Sequence, residues 1–405
     1  MVERTHSTRN RTFVFAYART AFGRFQGSLS GYTAAELGAI NIDEILNRSE
    51  IQPSNIDGVY LGTGLLGGFG LTAARQAVLL SELPQTTPSL GLDRACCSGL
   101  SAISMANNDA ALNPESLIIC GGMEVLSQAP HLLPRKAKKL GDQIAEDPLL
   151  LRAPLVDSAI AKYTSEEAES MGVGRTNQDA WALQSHARYF AANKMGHFDL
   201  ERFAVPVRRM DGRQSDGMLS ADESPRIDST MEKLATLAPV RGSISITAGN
   251  APGLNDGSAC LLIGGEEAKE KHGLEPVAEI VGTLRNADGP KSGTRVPAFA
   301  IQEILQRHGV RMDQLDVIEI NEAFAATPLV STKILADFDD DLTNEVRQIT
   351  NPNGGSVAIG HPFGASGPRL VMTIISALQN RGGGYGVASI CGGYGQGEAV
   401  LIRVT

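Results

Sequence analysis

The sequence predicts an α/β protein built from two similar halves, with a segment of a different kind inserted between them. Apolar strands end in the same Cys-Gly-Gly turn at Cys120 and at Cys391, which are 271 positions apart. Helices open after Gly99 and Gly367, which are 268 positions apart, so the offset is nearly constant. An ordered series of matches at one offset indicates a duplicated unit. Each unit reads strand, glycine-rich turn, helix, strand, as is typical of α/β folds.

The segment from about residue 123 to residue 240 differs in composition from these repeats. It carries several prolines, the basic run RKAKK and the acidic run SEEAE. We expect it to form a lid over a functional site carried by the two halves. The sequence therefore predicts an N-terminal half over 1–122 with 241–273, an inserted domain over 123–240 and a C-terminal half over 274–405.

One stretch of the inserted segment, RTNQDAWALQSHARYFAANKMG, has the periodicity of an amphipathic helix. Thr176 or Asn177 could cap its start, because short polar side chains accept from the free N–H groups there. The face that we expect to be buried is formed by Ala180, Leu183, Ala187, Phe190 and Ala191.

Composition excludes several classes of protein. With 42% hydrophobic and 20% charged residues among 405, the chain is typical of globular proteins. Its net charge of −9 argues against a nucleic-acid-binding protein, although a local basic pocket for a phosphorylated ligand remains compatible with it. No apolar stretch approaches the ~18 residues of a membrane span. Five cysteines are few and odd in number, which predicts free thiols in a reducing compartment such as the cytoplasm.

The turn DRACCSGLSA offers a nucleophile. Cys96 lies just before a helix that opens after Gly99, and we expect the helix N-terminus to lower its thiol pKa. The alternative is a buried structural cysteine, which is the commoner fate of a free thiol. Cys97 shares the location, and position alone does not separate the two. No CxxC or HxxxH spacing accompanies them, so the sequence predicts no metal site.

Three further turns offer groups that a nucleophilic thiol needs. His361 lies between Gly360 and Pro362 in GGSVAIGHPFGASG and suits general-base work, the alternative being a ring bonded to the turn backbone. Asn321 follows a strand in VIEINEAFAA and could hold a water or an oxyanion, or simply cap a helix. Cys391 starts a glycine-rich loop that is either a plain hairpin or a second thiol beside N–H donors.

Taken together, these stretches resemble the thiolases, specifically acetyl-CoA acetyltransferases and 3-ketoacyl-CoA thiolases. The likeness runs from about Thr12 to the C-terminus. It rests on ARTAFGRFQGSL, ARQAVLL, ACCSGLSA, GGMEVLSQAPH, TAGNAPGLNDGSA, NEAFA, NGGSVAIGHPFGASG and CGGYGQG. Related decarboxylating ketoacyl synthases lack a catalytic cysteine in a C-terminal CGG loop, so Cys391 favours a thiolase.

The resemblance implies a role for each of these residues. Cys96 would carry the acyl group and His361 would take its proton. Cys391 would remove a proton from the second acyl-CoA, or return one during thiolysis. Asn321 would hold a water that forms an oxyanion hole with His361. The N–H groups of Cys96 and Gly393 would form a second hole for the acyl thioester oxygen.

The resemblance also implies a fold, ligands and an assembly. Two five-stranded βαβαβαββ halves would form an α/β/α/β/α layered thiolase-like fold, with an inserted loop domain that binds coenzyme A. Arg226 matches a basic residue at the adenine end of coenzyme A, and Pro252 replaces a serine that contacts its pantetheine. No cofactor would be permanently bound, since coenzyme A and acyl-CoA are substrates. The protein would be a homodimer or a homotetramer.

Four further residues depart from the family pattern. Asp93 replaces an asparagine, and Cys97 replaces a serine or glycine. Ala161 and Lys291 stand where the pattern has methionine, which predicts an acyl pocket open to chains longer than acetoacetyl.

The predicted activity is acyl transfer through a cysteine acyl-enzyme, by Claisen condensation of two acetyl-CoA molecules or by thiolysis of a 3-ketoacyl-CoA. The alternatives are an acyl-CoA condensing synthase of the wider superfamily and a non-catalytic acyl-CoA-binding protein with this fold.

Overall fold

The computed structural model describes residues 10–65, 71–133, 145–211 and 214–405. Its strands are β1 (Thr12–Thr20), β2 (Gly23–Arg24), β3 (Gly58–Gly62), β4 (Ser89–Leu92), β5 (Leu117–Val125), β6 (Arg152–Ala153), β7 (Ser158–Ala159), β8 (Arg202–Phe203), β9 (Val205–Arg208), β10 (Gln214–Leu219), β11 (Asn255–Gly265), β12 (Ala278–Ala287), β13 (Leu315–Ile320), β14 (Gly384–Gly392) and β15 (Gln396–Val404).

Helices separate many of these strands, and four of them lie between β13 and β14 of the second half. The α-helices are α1 (Ala34–Ser49), α2 (Ala73–Leu80), α3 (Ser98–Leu112), α4 (Ile160–Ser170), α5 (Arg175–Lys194), α6 (Met231–Ala235), α7 (Glu266–His272), α8 (Val296–His308), α9 (Ala326–Leu335), α10 (Asp340–Gln348), α11 (Ser356–Ile359) and α12 (Phe363–Asn380).

The first half is a mixed sheet in the order β4-β3-β5-β11-β1. The inner strands β5 and β11 are buried along their whole length, since α1 covers one face while α3 and α12 cover the other. Parallel pairing of β3 with β4 and β5 requires crossover helices, which α2 and α3 supply. Local sequence sets the bounds of α1, where Thr33 and Glu36 form a capping box.

The second half repeats this order as β13-β14-β15-β12. The position that corresponds to β4 is reduced to a single parallel bridge between Ile318 and Thr350. The two sheets join where Phe13 and Val14 of β1 pair with Glu279 and Ala278 of β12. The predicted duplication is therefore confirmed, although the second half keeps four regular strands and a bridge in place of five strands.

Helices α3 and α12 lie back to back between the two sheets and share one buried apolar cluster. They approach so closely that a Cβ at Gly99 of α3 would collide with the carbonyl oxygen of Gly364 in α12, and a Cβ at Gly122 of β5 would collide with the same oxygen. A side chain at either position would push α12 away from its neighbours. Because the turns at the N-termini of these helices carry Cys96 and His361, this contact sets the separation of the two residues.

Helix α5 of the inserted segment forms over the predicted stretch, but both details predicted for it were wrong. Its N-cap is Gly174, without a side-chain bond. The buried face mixes polar and apolar residues and includes Gln178, Trp181 and Ser185, while Ala180 is exposed. Its polar groups bond inside the protein, since the Gln178 amide nitrogen donates to Ser245 while Trp181 and Ser185 donate to Glu322. An apolar pattern cannot detect a face that is buried through hydrogen bonds.

A buried ionic cluster fastens the inserted segment to β1. The Arg19 guanidinium bonds Glu201 at 2.8 Å and Asp222 at 2.7 and 3.1 Å, and all three side chains are fully buried. Arg202 approaches the same Asp222 carboxylate at 3.5 Å. Within the described ranges, no helix is long and apolar enough to cross a membrane.

Candidate active site

The nucleophile turn joins β4 to α3. Ala95 adopts a left-handed backbone with φ of 51°, and the Asp93 carboxylate holds its N–H at 2.9 Å. This tight turn leaves Cys96 partly exposed and makes Cys97 the N-cap of α3. Cys97 is fully buried, with its Sγ 3.6 Å from the Ile390 carbonyl oxygen. The structure thus separates the two cysteines, which the sequence could not do.

The loop that follows Cys391 is a hairpin between β14 and β15, and its tip packs on the nucleophile turn. A Cβ at Gly392 would lie 2.7 Å from the Arg94 oxygen, so only glycine fits there. A Cβ at Gly393 would lie 3.5 Å from that of Ala95. The loop is therefore a hairpin that also brings the Cys391 thiol close to the turn that carries Cys96.

His361 lies in the turn before α12, with both ring nitrogens in defined contacts. Ser366 Oγ is 2.9 Å from the Pro362 oxygen and 2.6 Å from His361 Nδ1. The hydroxyl has one proton, which it donates to the carbonyl, so it must accept the Nδ1–H. The Nε2 atom then carries the free lone pair, as a general base requires. Asn255 accepts the His361 backbone N–H at 3.0 Å and fixes the turn.

Asn321 follows β13 and faces this base. The next helix begins only at Ala326, so Asn321 is not a helix cap. Its Nδ2 atom lies 3.4 Å from His361 Nε2, and its Oδ1 atom accepts the hydroxyl of Ser356 at 2.7 Å. The predicted water-holding amide and base are thus side by side.

The environment keeps all three reactive groups neutral. Burial raises the pKa of the Cys96 thiol, and the nearby Cys391 and Glu124 raise it further. The expectation that the helix N-terminus lowers this pKa was therefore wrong, because desolvation of the thiolate outweighs the helix N-terminus. Burial likewise raises the pKa of Cys391 to about 12. Burial and the charge of Arg369 lower the pKa of His361 to about 3.

Apolar side chains form a wall beside Cys96. Leu126, Leu149 and Phe363 make a small cluster against which Cys96 packs. The Phe363 ring also contacts the imidazole of His361, with 5.1 Å between ring centroids at an angle of 64°. A dry wall of this kind suits the hydrocarbon part of an acyl group.

A cleft of about 590 Å³ leads away from this wall. Arg226 lines it, as do Ala251 and Gly253, the two neighbours of Pro252. One of its lining residues, Leu254, forms a parallel bridge with His361 and packs against the same apolar cluster as Cys96. The predicted ligand-binding stretch therefore adjoins the candidate reactive residues.

His186 is a cleft residue that sequence reasoning missed. Its Nδ1 atom accepts the Arg226 backbone N–H at 3.2 Å, and burial lowers its pKa to about 4. No local motif marks it, since only the packing of α5 against the Arg226 loop brings the two together.

A second cleft of about 340 Å³ opens near Cys391. It is lined by Tyr163, Glu166, Glu167, Ser170, Met171, Lys291 and Arg295. Arg295 pairs with Glu167 at 2.8 Å, whereas Lys291 is exposed. The charge of Glu167 contributes to the raised pKa of Cys391, which places this cleft beside the second thiol.

The structure brings Cys96, His361, Asn321 and Cys391 to one place, with Gly393 at the hairpin tip. The described residues contain no group of His, Cys, Asp and Glu side chains that could hold a metal ion. A partly exposed thiol, an imidazole whose Nε2 atom carries a lone pair and a second thiol beside clefts are the groups that a cysteine-dependent acyltransferase needs.

Comparisons with known proteins agree with this class. The models of the thiolase N-terminal and C-terminal domains match residues 12–267 and 274–404. A β-ketoadipyl-CoA thiolase of Pseudomonas aeruginosa is 38% identical over 404 residues, which cover 96% of this chain and 98% of the relative.

Two solved structures are similar throughout. The acetyl-CoA acetyltransferase of Bacillus anthracis has a TM-score of 0.91 and 34% identity, covering 98% of this chain and 99% of that one. Human mitochondrial 3-ketoacyl-CoA thiolase in complex with CoA has a TM-score of 0.90 and 34% identity, with 98% of each chain covered.

The chain belongs to the thiolase family. It is an acyltransferase with the thiolase fold, as the sequence predicted.

Proposed function

We propose that Cys96 forms the acyl-enzyme and that His361 serves as its base. The thiol would attack the thioester carbonyl of an acyl-CoA while its proton passes to Nε2 of His361. Collapse of the tetrahedral adduct would break the carbon–sulfur bond to coenzyme A, and the imidazolium would return the proton to the departing thiolate. The fixed Nδ1–H tautomer and the contact of Phe363 with both residues support this assignment.

Cys391 would act in the carbon–carbon step. In condensation Cys391 would first pass its proton to Nε2 of His361, and the resulting thiolate would remove a proton from the α-carbon of a second acyl-CoA. The enolate would attack the Cys96 acyl group and expel the Cys96 thiolate, which would take the proton from the His361 imidazolium. In thiolysis the same atoms would move in reverse. Asn321 would hold a water that, with the Nε2–H of the His361 imidazolium, stabilises the enolate oxygen, and the N–H groups of Cys96 and Gly393 would face the acyl carbonyl oxygen. Nearness of the two thiols is the observation that carries this proposal.

Coenzyme A would occupy the cleft of about 590 Å³, with its adenine end near Arg226 and its pantetheine passing Pro252 toward Leu254. Two observations support this: the cleft residue Leu254 bridges His361, and a related human thiolase has been solved in complex with CoA. No cofactor need stay bound between turnovers, because the coenzyme enters as substrate.

Comparison of two variants tests the division of labour. His361→Ala should slow acylation by ~10²–10⁴-fold, as expected for loss of a positioned base. Cys391→Ala should acylate at nearly the parental rate and fail to make acetoacetyl-CoA. Rapid-quench acylation and product formation would be measured on each variant. Equal loss of both steps in Cys391→Ala would refute the assignment.

The acyl chain would extend toward the cleft of about 340 Å³, and we propose 3-ketoacyl substrates longer than acetoacetyl. Lys291 favours a second candidate, a chain that ends in a carboxylate, because it is an exposed cation in a cleft where Glu167 is already paired with Arg295. A relative is named for such a substrate, β-ketoadipyl-CoA.

Thiolysis kinetics would decide between these substrates. For the second candidate, 3-ketoadipyl-CoA should exceed 3-ketohexanoyl-CoA in kcat/KM, and Lys291→Met should abolish that preference. A plain long-chain enzyme would show no such preference, and a steep fall in kcat/KM directly after acetoacetyl-CoA would contradict both candidates.

We also propose a homodimer, alone or doubled into a tetramer. Among the described residues β4 pairs only with β3, so its outer edge is free a few residues before Cys96. A second copy of the strand would cover that edge. A stable monomer in light scattering would contradict this.

We also propose a cytoplasmic location, with which the free state of all five cysteines accords. The proposed acyl-CoA substrates suggest a role in fatty acid metabolism.

A further inference from the structure

Ser356, the first residue of α11, contacts the side chain of Asn321. It is fully buried, and its Oγ atom lies 2.7 Å from Oδ1 of Asn321. An amide oxygen can only accept, so the serine hydroxyl must be the donor. This single bond selects one of the two orientations of the amide. With Oδ1 directed at Ser356, the NH₂ group is directed at His361 Nε2.

The serine is itself held by a buried ion pair. Arg369 of α12 reaches Ser356 Oγ with Nη2 at 3.4 Å and binds Glu319 with Nη1 at 2.9 Å. Glu319 and Asn321 lie two residues apart at the end of β13, and both are fully buried. Arg369 and Ser356 therefore link the side chains of Glu319 and Asn321 through three successive hydrogen bonds.

A purely structural role for Ser356 would be helix capping. The N-cap of α11 is Gly355, however, and α11 has no side-chain cap. The Ser356 hydroxyl donates to Asn321 Oδ1 instead. Without it the amide could turn its oxygen toward Nε2, where two acceptors would face each other and neither could donate to a bound oxygen.

We propose that Ser356 is a positioning residue, whose hydroxyl holds the Asn321 amide with its N–H groups toward the water that stabilises the enolate oxygen of the second acyl-CoA. This rests on the proposed roles of Asn321 and Cys96. Ser356 contacts Asn321 and not the nucleophile turn, so it should affect the carbon–carbon step and spare acylation.

The test compares Ser356→Ala with Ser376→Ala. Ser376 is an equally buried serine of α12 that donates to the His197 oxygen at 2.7 Å. Burst release of coenzyme A from acetyl-CoA reports acylation, and acetoacetyl-CoA formation reports the carbon–carbon step. Loss of one oxyanion donor typically costs ~10²–10³-fold in kcat. Ser356→Ala only misorients the donor and should lower kcat for condensation by about tenfold or more, with acylation within twofold.

Ser356→Thr, which keeps the hydroxyl, should recover most of the condensation rate. The proposal is overturned if Ser356→Ala slows both steps equally, if Ser376→Ala has the same effect on condensation, or if condensation is unchanged. A parent enzyme that never acylates Cys96 would instead refute the proposed function itself, and this result is distinguishable because it appears before any variant is compared.

Discussion

Ser366→Ala tests whether His361 acts through its Nε2 atom. The Ser366 hydroxyl accepts the Nδ1–H at 2.6 Å, and both residues are buried. Removing it leaves a buried N–H unpaired, which costs about 1–3 kcal/mol. The cost falls mainly on the transition state, since the ring gains positive charge as it takes the Cys96 proton. At about 1.4 kcal/mol for each tenfold in rate, acylation should slow by about 5- to 150-fold.

Rapid-quench acylation with saturating acetyl-CoA is the assay, because it isolates the step in which the imidazole becomes charged. Ser376→Ala serves as the control for loss of a buried serine hydroxyl. Ser366→Ala should also slow condensation, because the same imidazole faces both steps. Acylation within twofold of the parental rate, or a change confined to KM, would refute this account of the base.

Two further predictions concern ionisation and stability. Because burial raises the pKa of Cys96 above that of an ordinary thiol, the rate of inactivation by iodoacetamide should be low at pH 7 and should still be increasing at pH 9. Asp93→Asn removes a nearby negative charge and should increase this rate. A rate that reaches its plateau below pH 8 would contradict the prediction. Arg19→Met leaves the Glu201 and Asp222 carboxylates buried without the Arg19 cation. In urea titrations this should lower the free energy of unfolding by about 3–5 kcal/mol. A loss below about 1 kcal/mol would show that the cluster is not essential for stability.

The features that the sequence predicted are local ones. Cys96, His361 and Cys391 each lie in a short glycine-rich turn, and a turn of that kind can be recognised from a few neighbouring residues. The duplication was visible for the same reason, since Cys120 and Cys391 lie in matching strands at a nearly constant offset. The expectation that the first of these strands ends at Cys120 was wrong, because β5 continues to Val125.

What the sequence could not predict depends on tertiary packing. Ser356 and Ser366 act through single hydrogen bonds to residues brought close by folding. His186 enters the cleft only because α5 packs against the Arg226 loop. The pKa of Cys96 was predicted in the wrong direction, because the helix N-terminus is a local feature whereas burial is set by the whole fold.

The identity of the acylated cysteine tests the central claim most directly. The enzyme would be incubated with labelled acetyl-CoA, quenched in acid, digested and sequenced by mass spectrometry. We expect the acetyl group on Cys96, and none on Cys97, which is fully buried with its sulfur against the Ile390 carbonyl. Cys96→Ala should take up no label. Label on Cys97, or undiminished labelling of Cys96→Ala, would contradict the account.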